Sequence, residues 1–225
     1  TLLSAEQKQQ FRLNQLNQPV TLRRGNVKLA GNLDIINDFD LSKVNGSADL
    51  NLGVNNGSVK VDGNLNRGIL QGNVNVNSIA ANPFLPELPL RVTVANTRVN
   101  LSGRVNQLLE LKSFDLDKLN KLDSFRATAN GRLILPGSRG DINFNANGNL
   151  ATNNLQAVVN ANRISLNQLV ENSPLPVTVN NSRVNVTGKI NQLLANNFDN
   201  VNADVNANLA VAKGSVTAIA NLNNG

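Results

Sequence analysis

The sequence predicts an all-β fold: an elongated, curled antiparallel sheet built from long repeats, with short helical connectors. Three observations predict it. Apolar and polar side chains alternate strictly at period two, whole blocks of sequence recur at intervals of 72 and 85 residues, and aromatics make up only 3% of the chain, all of them Phe. Period-two alternation places every second side chain on one face of a strand. Recurrence at this length marks a repeat architecture. An apolar set of Val, Leu, Ile and Ala suits a thin sheet better than a compact globule, which draws much of its burial from aromatic rings.

The blocks align through their glycines at 31, 103 and 188. The third reads Pro176-Val177-Thr178-Val179, then Arg183-Val184-Asn185-Val186-Thr187-Gly188-Lys189-Ile190. Its counterparts are Pro89 and Val92-Thr93-Val94 before Arg98-Val99-Asn100-Leu101-Ser102-Gly103-Arg104-Val105, and Pro19-Val20-Thr21-Leu22 before Asn26-Val27-Lys28-Leu29-Ala30-Gly31. A Phe-Asp pair follows each glycine, at 39–40, 114–115 and 198–199, and Asn106-Gln107-Leu108-Leu109 returns as Asn191-Gln192-Leu193-Leu194. Leu-rich connectors precede the units at Leu13–Leu16, Phe84–Pro86 and Leu166–Leu169. The organisation read from this is a connector over 1–18, repeats over 19–88 and 89–173, and a partial repeat over 174–225. The lack of an initiating Met and these boundaries lead to the expectation of an internal segment of a longer array.

Element by element, Val27, Leu29, Gly31, Leu33 and Ile35 share a face, followed by Ala48, Leu50, Leu52 and Val54, then Val59, Val61, Gly63 and Leu65, then Gly72, Val74 and Val76. The second unit supplies Val99, Leu101, Gly103 and Val105, then Ala127, Ala129, Gly131, Leu133 and Leu135, then Ile142, Phe144, Ala146, Gly148 and Leu150, then Leu155, Ala157, Val159 and Ala161. The third supplies Val184, Val186, Gly188 and Ile190, then Ala203, Val205, Ala207, Leu209 and Val211, then Val216, Ala218, Ala220 and Leu222. No charge falls on any of these faces. Opposite them lie Asn, Asp, Lys, Arg, Ser and Thr; asparagine, a poor strand former, is accepted there because it faces water. Asn55-Asn56-Gly57, Arg67-Gly68 and Pro136-Gly137 predict hairpins. About a dozen strands at ~4.8 Å each would extend roughly 60 Å. Glycines on the apolar face permit the sheet to curl. Short helices are expected at 4–17, with Ser4 as N-cap and Gln7 completing a capping box, and near 106–122.

Composition narrows the function. There is no Cys, His, Met, Trp or Tyr. That removes disulfides, thiolate metal sites, and the commonest general base and metal ligand, and no cofactor is implied. The acids Asp34, Asp38, Asp40, Asp115, Asp117 and Asp123 sit in turns or connectors beside no nucleophile, so no enzyme is expected. Calcium held by Asp38, Asp40 and Asp115 matches no known loop spacing. The net charge of +6 is spread over single residues such as Lys28, Lys60, Arg98, Arg104, Arg183 and Lys189. Without a basic cluster or interleaved aromatics, nucleic acid is not the expected partner.

The units of the form Gly25-Asn26-Val27-Lys28-Leu29-Ala30-Gly31-Asn32-Leu33, with their Phe-Asp pairs and connectors such as Asn82-Pro83-Phe84-Leu85-Pro86-Glu87-Leu88-Pro89, resemble the TamB family of AsmA-like cell-envelope proteins over essentially the whole chain. The Asn-rich, aromatic-poor style looks most like its cyanobacterial members. The resemblance implies a β-taco, a sheet folded lengthwise into a groove with an apolar interior. It also implies a full-length protein anchored in the inner membrane that crosses the periplasm to an outer-membrane barrel of the TamA type. Phospholipid transport and outer-membrane protein assembly are the functions it implies.

The residues themselves support a lipid path. An acyl chain in water costs about 0.8 kcal/mol per methylene, a cost that an apolar face offsets along its length. The expected lining is Val27, Leu29, Leu50, Leu52, Val59, Val61, Val74, Val76, Val99, Leu101, Ile142, Phe144, Val184, Val186, Val205 and Val216. Two alternatives remain open: a closed β-solenoid whose side chains interdigitate as solid core, and a secreted adhesin-like or glycan-binding segment, against which stands the absence of Trp and Tyr platforms. Exposed edge strands predict self-association of the segment or acceptance of another strand.

Overall fold

The computed structural model describes residues 20–31, 44–54, 56–82, 91–110, 124–167, 176–194 and 199–223. Within them the protein is all-β: one curled antiparallel sheet, open rather than closed, with two short helices. β1 (Val20–Ala30), β2 (Asn45–Val54), β3 (Gly57–Asn66) and β4 (Ile69–Asn77) come first, and the two-residue β5 (Ile79–Ala80) extends β4. β6 (Thr93–Arg104), β7 (Arg126–Ile134), β8 (Asp141–Asn149) and β9 (Asn154–Asn162) follow, extended by β10 (Ile164–Ser165). β11 (Val177–Lys189), β12 (Asn202–Val211) and β13 (Gly214–Leu222) come last. The long strands pair in chain order, with β5 added beside β6 and β10 beside β11. Eleven strands at ~4.8 Å spacing put β1 and β13 roughly 48 Å apart along the sheet.

Local chemistry accounts for the connections. Arg67 and Gly68 both have positive φ (46° and 77°), the geometry of the two-residue turn whose twist matches the flanking strands, and Asn45 Oδ1 accepts a hydrogen bond from Arg67 N at 3.2 Å. The expected turns around Asn56-Gly57 and Pro136-Gly137 likewise join β2 to β3 and β7 to β8. Helix α1 (Val105–Glu110) opens the stretch where a helix is predicted near 106–122, and α2 (Ile190–Leu194) falls on the matching Asn191-Gln192-Leu193-Leu194. The predicted helix at 4–17, the pairs Phe39-Asp40 and Phe114-Asp115, and Leu33, Ile35, Asp38 and Asp40 all lie outside the described residues.

Three strands carry a β-bulge near their first residues: β1 at Leu22/Arg24, β6 at Ala95/Arg98 and β11 at Asn180/Arg183. An inserted residue shifts the side-chain phase by one. In β6 the apolar face is therefore carried by the even-numbered Val94 before the bulge and by the odd-numbered Val99 and Leu101 after it. In β11 it passes from Val177 and Val179 to Val184 and Val186, and in β1 from Val20 and Leu22 to Val27 and Leu29. Asn96 and Asn181 take the left-handed conformation there (φ 48° and 45°), which asparagine tolerates better than most residues. Ser78 and Arg163, at the β4–β5 and β9–β10 junctions, do the same (φ 56° and 54°).

The core lies along the two margins of the sheet, where successive strands begin and end. Val44, Val105, Phe125 and Val201 are buried along the margin that carries α1 and α2. Val54, Ile79, Ala81, Ala95, Leu135 and Ile164 are buried along the opposite margin, near the bulges. At the helical margin the glycines at 31, 103 and 188 each face the buried residue that precedes the next long strand. A Cβ on them would stand 3.5 Å from Val44 Cγ2, 2.5 Å from Phe125 Cγ and 3.1 Å from Val201 Cγ2, respectively.

Candidate functional site

The register places all sixteen expected lining residues on one face of the sheet. Its central row runs Gly25, Leu50, Val61, Val74, Val99, Ala129, Ala146, Ala157, Val186, Ala203 and Leu222, each the direct cross-strand neighbour of the next. This row crosses all eleven long strands without a charge, an amide or a hydroxyl. Leu52, Val59, Val76, Phe144, Val184 and Val205 lie one row toward the bulge margin, and Ile142 and Val216 lie farther that way. Val27 and Leu101 occupy the row toward the helices, with Leu29 beyond them. In that row Ala48, Gly63, Gly72, Ala127 and Gly148 leave the backbone almost bare between Val27, Leu101 and Leu155.

None of the sixteen is fully buried. Thirteen are half-buried, while Val27 (60%), Leu29 (71%) and Val216 (53%), on the terminal strands β1 and β13, are exposed. Solid core would bury such aliphatic side chains almost completely, as it does Val201 at 2%. The apolar face thus keeps substantial contact with solvent while the two margins are dry.

Two hydroxyls interrupt the apolar rows, and the sequence reading missed both. Thr97 and Ser182 are the buried polar residues among those described, and both sit in bulges. Thr97 pairs across with Val76, and Ser182 with Ala161, so their side chains share the apolar face. Thr97 Oγ1 donates to Ala95 O at 3.3 Å, and Ser182 Oγ accepts from Asn208 N at 2.9 Å, so each hydroxyl is hydrogen-bonded to backbone at its bulge. Opposite Thr97 stands Gly131, where any Cβ would collide with the Thr97 side chain. The bulge also adds Val94 and Val179 to this face. The signal was present in the change of apolar parity between 92–94 and 99–103, and between 177–179 and 184–186.

The opposite face is laced by amides. Arg98 Nε donates to Asn75 Oδ1 (3.0 Å), Asn75 to Asn73 (2.5 Å), Asn73 to Asn100 (2.6 Å) and Asn100 to Thr128 Oγ1 (3.2 Å), a chain crossing β4, β6 and β7. Lys60–Asp62 (3.2 Å) and Arg132–Asp141 (3.3 Å) add ion pairs, which contribute little at this exposure. Among the described residues no group of three potential ligands could hold a metal ion, and no helix is long and apolar enough to cross a membrane. Asp38, Asp40 and Asp115 lie outside them.

Comparison with known proteins returns no match: no protein-family model, no curated protein and no solved structure is significantly similar to this chain.

Proposed function

We propose that this chain is part of a hydrophobic groove that conducts phospholipid between the inner and outer membranes. The observation that carries the reading is the central row of eleven apolar or glycine positions, half-exposed and free of polar interruption across the full width of the sheet. Withdrawing a chain of roughly 16 methylenes from water is worth about 13 kcal/mol, and a lining without deep pockets returns that energy evenly, so lipid can slide. Headgroups stay hydrated at the open side of the curl. Built from two long repeats and part of a third, the groove acts in the periplasm within a TamB-like protein anchored in the inner membrane, and the whole protein meets a TamA-type barrel at the outer membrane.

A second reading, support of outer-membrane protein assembly, is favoured by β13. Among the described residues it pairs with β12 alone and is exposed along its whole length, so its outer edge offers hydrogen-bonding groups to an incoming strand. The same edge would let two copies of the segment associate.

Mass spectrometry under mild conditions, with lipid extraction, separates the readings. The native chain is expected to carry or take up phospholipid, and Val61→Arg with Leu101→Arg to lose it while circular dichroism stays unchanged. Native protein that neither carries nor acquires lipid would refute the groove and leave strand pairing.

A further inference from the structure

The polar face carries a feature of its own. Two rows of side chains run across it side by side: Lys28, Ser47, Asn64, Gln71, Ser102, Arg126, Asn149, Asn154 and Lys189 form one. Asp62, Asn73, Asn100, Thr128, Asn147, Gln156, Thr187 and Asn202 form the other. Between the rows lie two cavities of about 500 and 740 Å³ that meet at Arg126. Their walls are these side chains; Leu155 and Gly188 lie beneath the larger cavity, and Ala48, Gly63, Gly72, Leu101 and Ala127 beneath the smaller. Leu101, Ala48 and Ala127 of the apolar face contribute to the smaller cavity, whereas none of the sixteen expected lipid-lining residues lines the larger one, which lies on the face opposite the lipid-facing one.

The larger cavity has a definite chemistry. Its charged lining residues are Arg126 and Lys189, both cations; the rest of its polar wall is amide and hydroxyl, and no carboxylate lines it. Lys189 Nζ is steadied by Asn154 Oδ1 at 2.9 Å and Thr152 O at 3.3 Å, while the Arg126 guanidinium has no hydrogen-bond or ion-pair partner among the described residues. Arg126 on β7 and Lys189 on β11 are three strand spacings apart, about 14 Å. The volume lies within the usual range for ligand sites.

We propose that the larger cavity binds a segment of an acidic polysaccharide, with Arg126 and Lys189 meeting carboxylates and the amides of Asn147 and Gln156 meeting hydroxyls, while Asp62 keeps the smaller cavity outside the site. A glycosyl unit of an extended chain advances by a length close to one strand spacing, about 4.8 Å, so successive sugars fall in register with successive strands. Side-chain amides both donate and accept, as vicinal hydroxyls require. No aromatic residue lines the trough, which removes the stacking that a neutral sugar or a nucleic-acid base would need, and leaves charge and hydrogen bonds as the source of affinity. The inference is independent of lipid conduction, because it concerns the other face.

Saturation-transfer NMR on the whole chain tests it, with oligogalacturonate, its methyl-esterified neutral form and oligodeoxythymidylate of matched charge as probes at physiological salt. Binding is expected for the acid oligosaccharide, at least about tenfold weaker for the neutral form and for the Arg126→Gln, Lys189→Gln double variant. The charge-preserving Asn147→Ala, Gln156→Ala variant should also weaken it about threefold or more, with unchanged circular dichroism in both variants. No binding of oligogalacturonate would overturn the proposal. So would equal binding of the oligonucleotide with no effect of the amide variant, since that is non-specific attraction to cations.

Discussion

Gly103 lies against the ring of Phe125, so closely that a Cβ at position 103 would stand 2.5 Å from Phe125 Cγ. This contact seals the helical margin between β6 and β7, and the glycines at 31 and 188 stand in the same relation to Val44 and Val201 with progressively more room (3.1 Å at 188, 3.5 Å at 31). Alanine scanning of the three should therefore be graded. Gly103→Ala should destabilise by about 1–3 kcal/mol through overpacking, Gly188→Ala by less, and Gly31→Ala should be near neutral, read from urea midpoints.

Stability should reside at the margins rather than on the central face. Phe125 is 5% exposed, whereas Phe144 is half-buried on the apolar face. Phe125→Ala should cost about 3–5 kcal/mol, and Phe144→Ala markedly less, about 1 kcal/mol. Equal costs in the same urea titration would mean that the face is solid core.

The bulge in β6 holds Val94 and Val99 on one face. Deleting Asn96 removes the inserted residue and turns Val94 toward solvent. The deletion should lower stability by about 1–2 kcal/mol, the cost of exposing a half-buried valine and breaking the local register. Asn96→Gly should be tolerated, since glycine accepts the left-handed backbone, while Asn96→Val should cost about 1–2 kcal/mol.

The turn between β3 and β4 has positive φ at both positions. Arg67→Asn, which supplies the preferred Asn-Gly pair, should raise the thermal midpoint by a few degrees, about 0.5–1 kcal/mol, and Gly68→Val should lower it.

Edge association should depend on β13. Ile219 is 71% exposed and projects from the polar face, where its neighbour on β12 is Asn206. Ile219→Lys should shift sedimentation toward monomer at high protein concentration. Unchanged assembly would place the contact elsewhere.

Much of this architecture is legible in the residues. Alternation reports which side chains share a face, because the strand period is two whatever the strand's neighbours. That is why Leu50, Val61, Val74, Val99 and Val186 could be grouped before any pairing was known. Arg67-Gly68 and Pro136-Gly137 carry their turn chemistry in themselves. The bulges were harder to see, because the parity change from Val94 to Val99 is spread over Ala95-Asn96-Thr97-Arg98, a stretch that reads as ordinary strand. The roles of Thr97 and Ser182 follow from the bulges and are no more legible in the residues than the bulges are.

The sequence by itself determined the fold class, the apolar and polar faces, and the turns at Arg67-Gly68 and Pro136-Gly137, since all three follow from local backbone geometry and side-chain period. Only the tertiary structure decided which strand follows which, that an unbroken apolar row links Gly25 to Leu222, and that burial concentrates at the margins around Phe125 and Ile164. It alone also brought Arg126 and Lys189 to one trough. These depend on register carried from each strand to the next across the whole sheet, and register is settled by the sum of many cross-strand contacts rather than by any single residue.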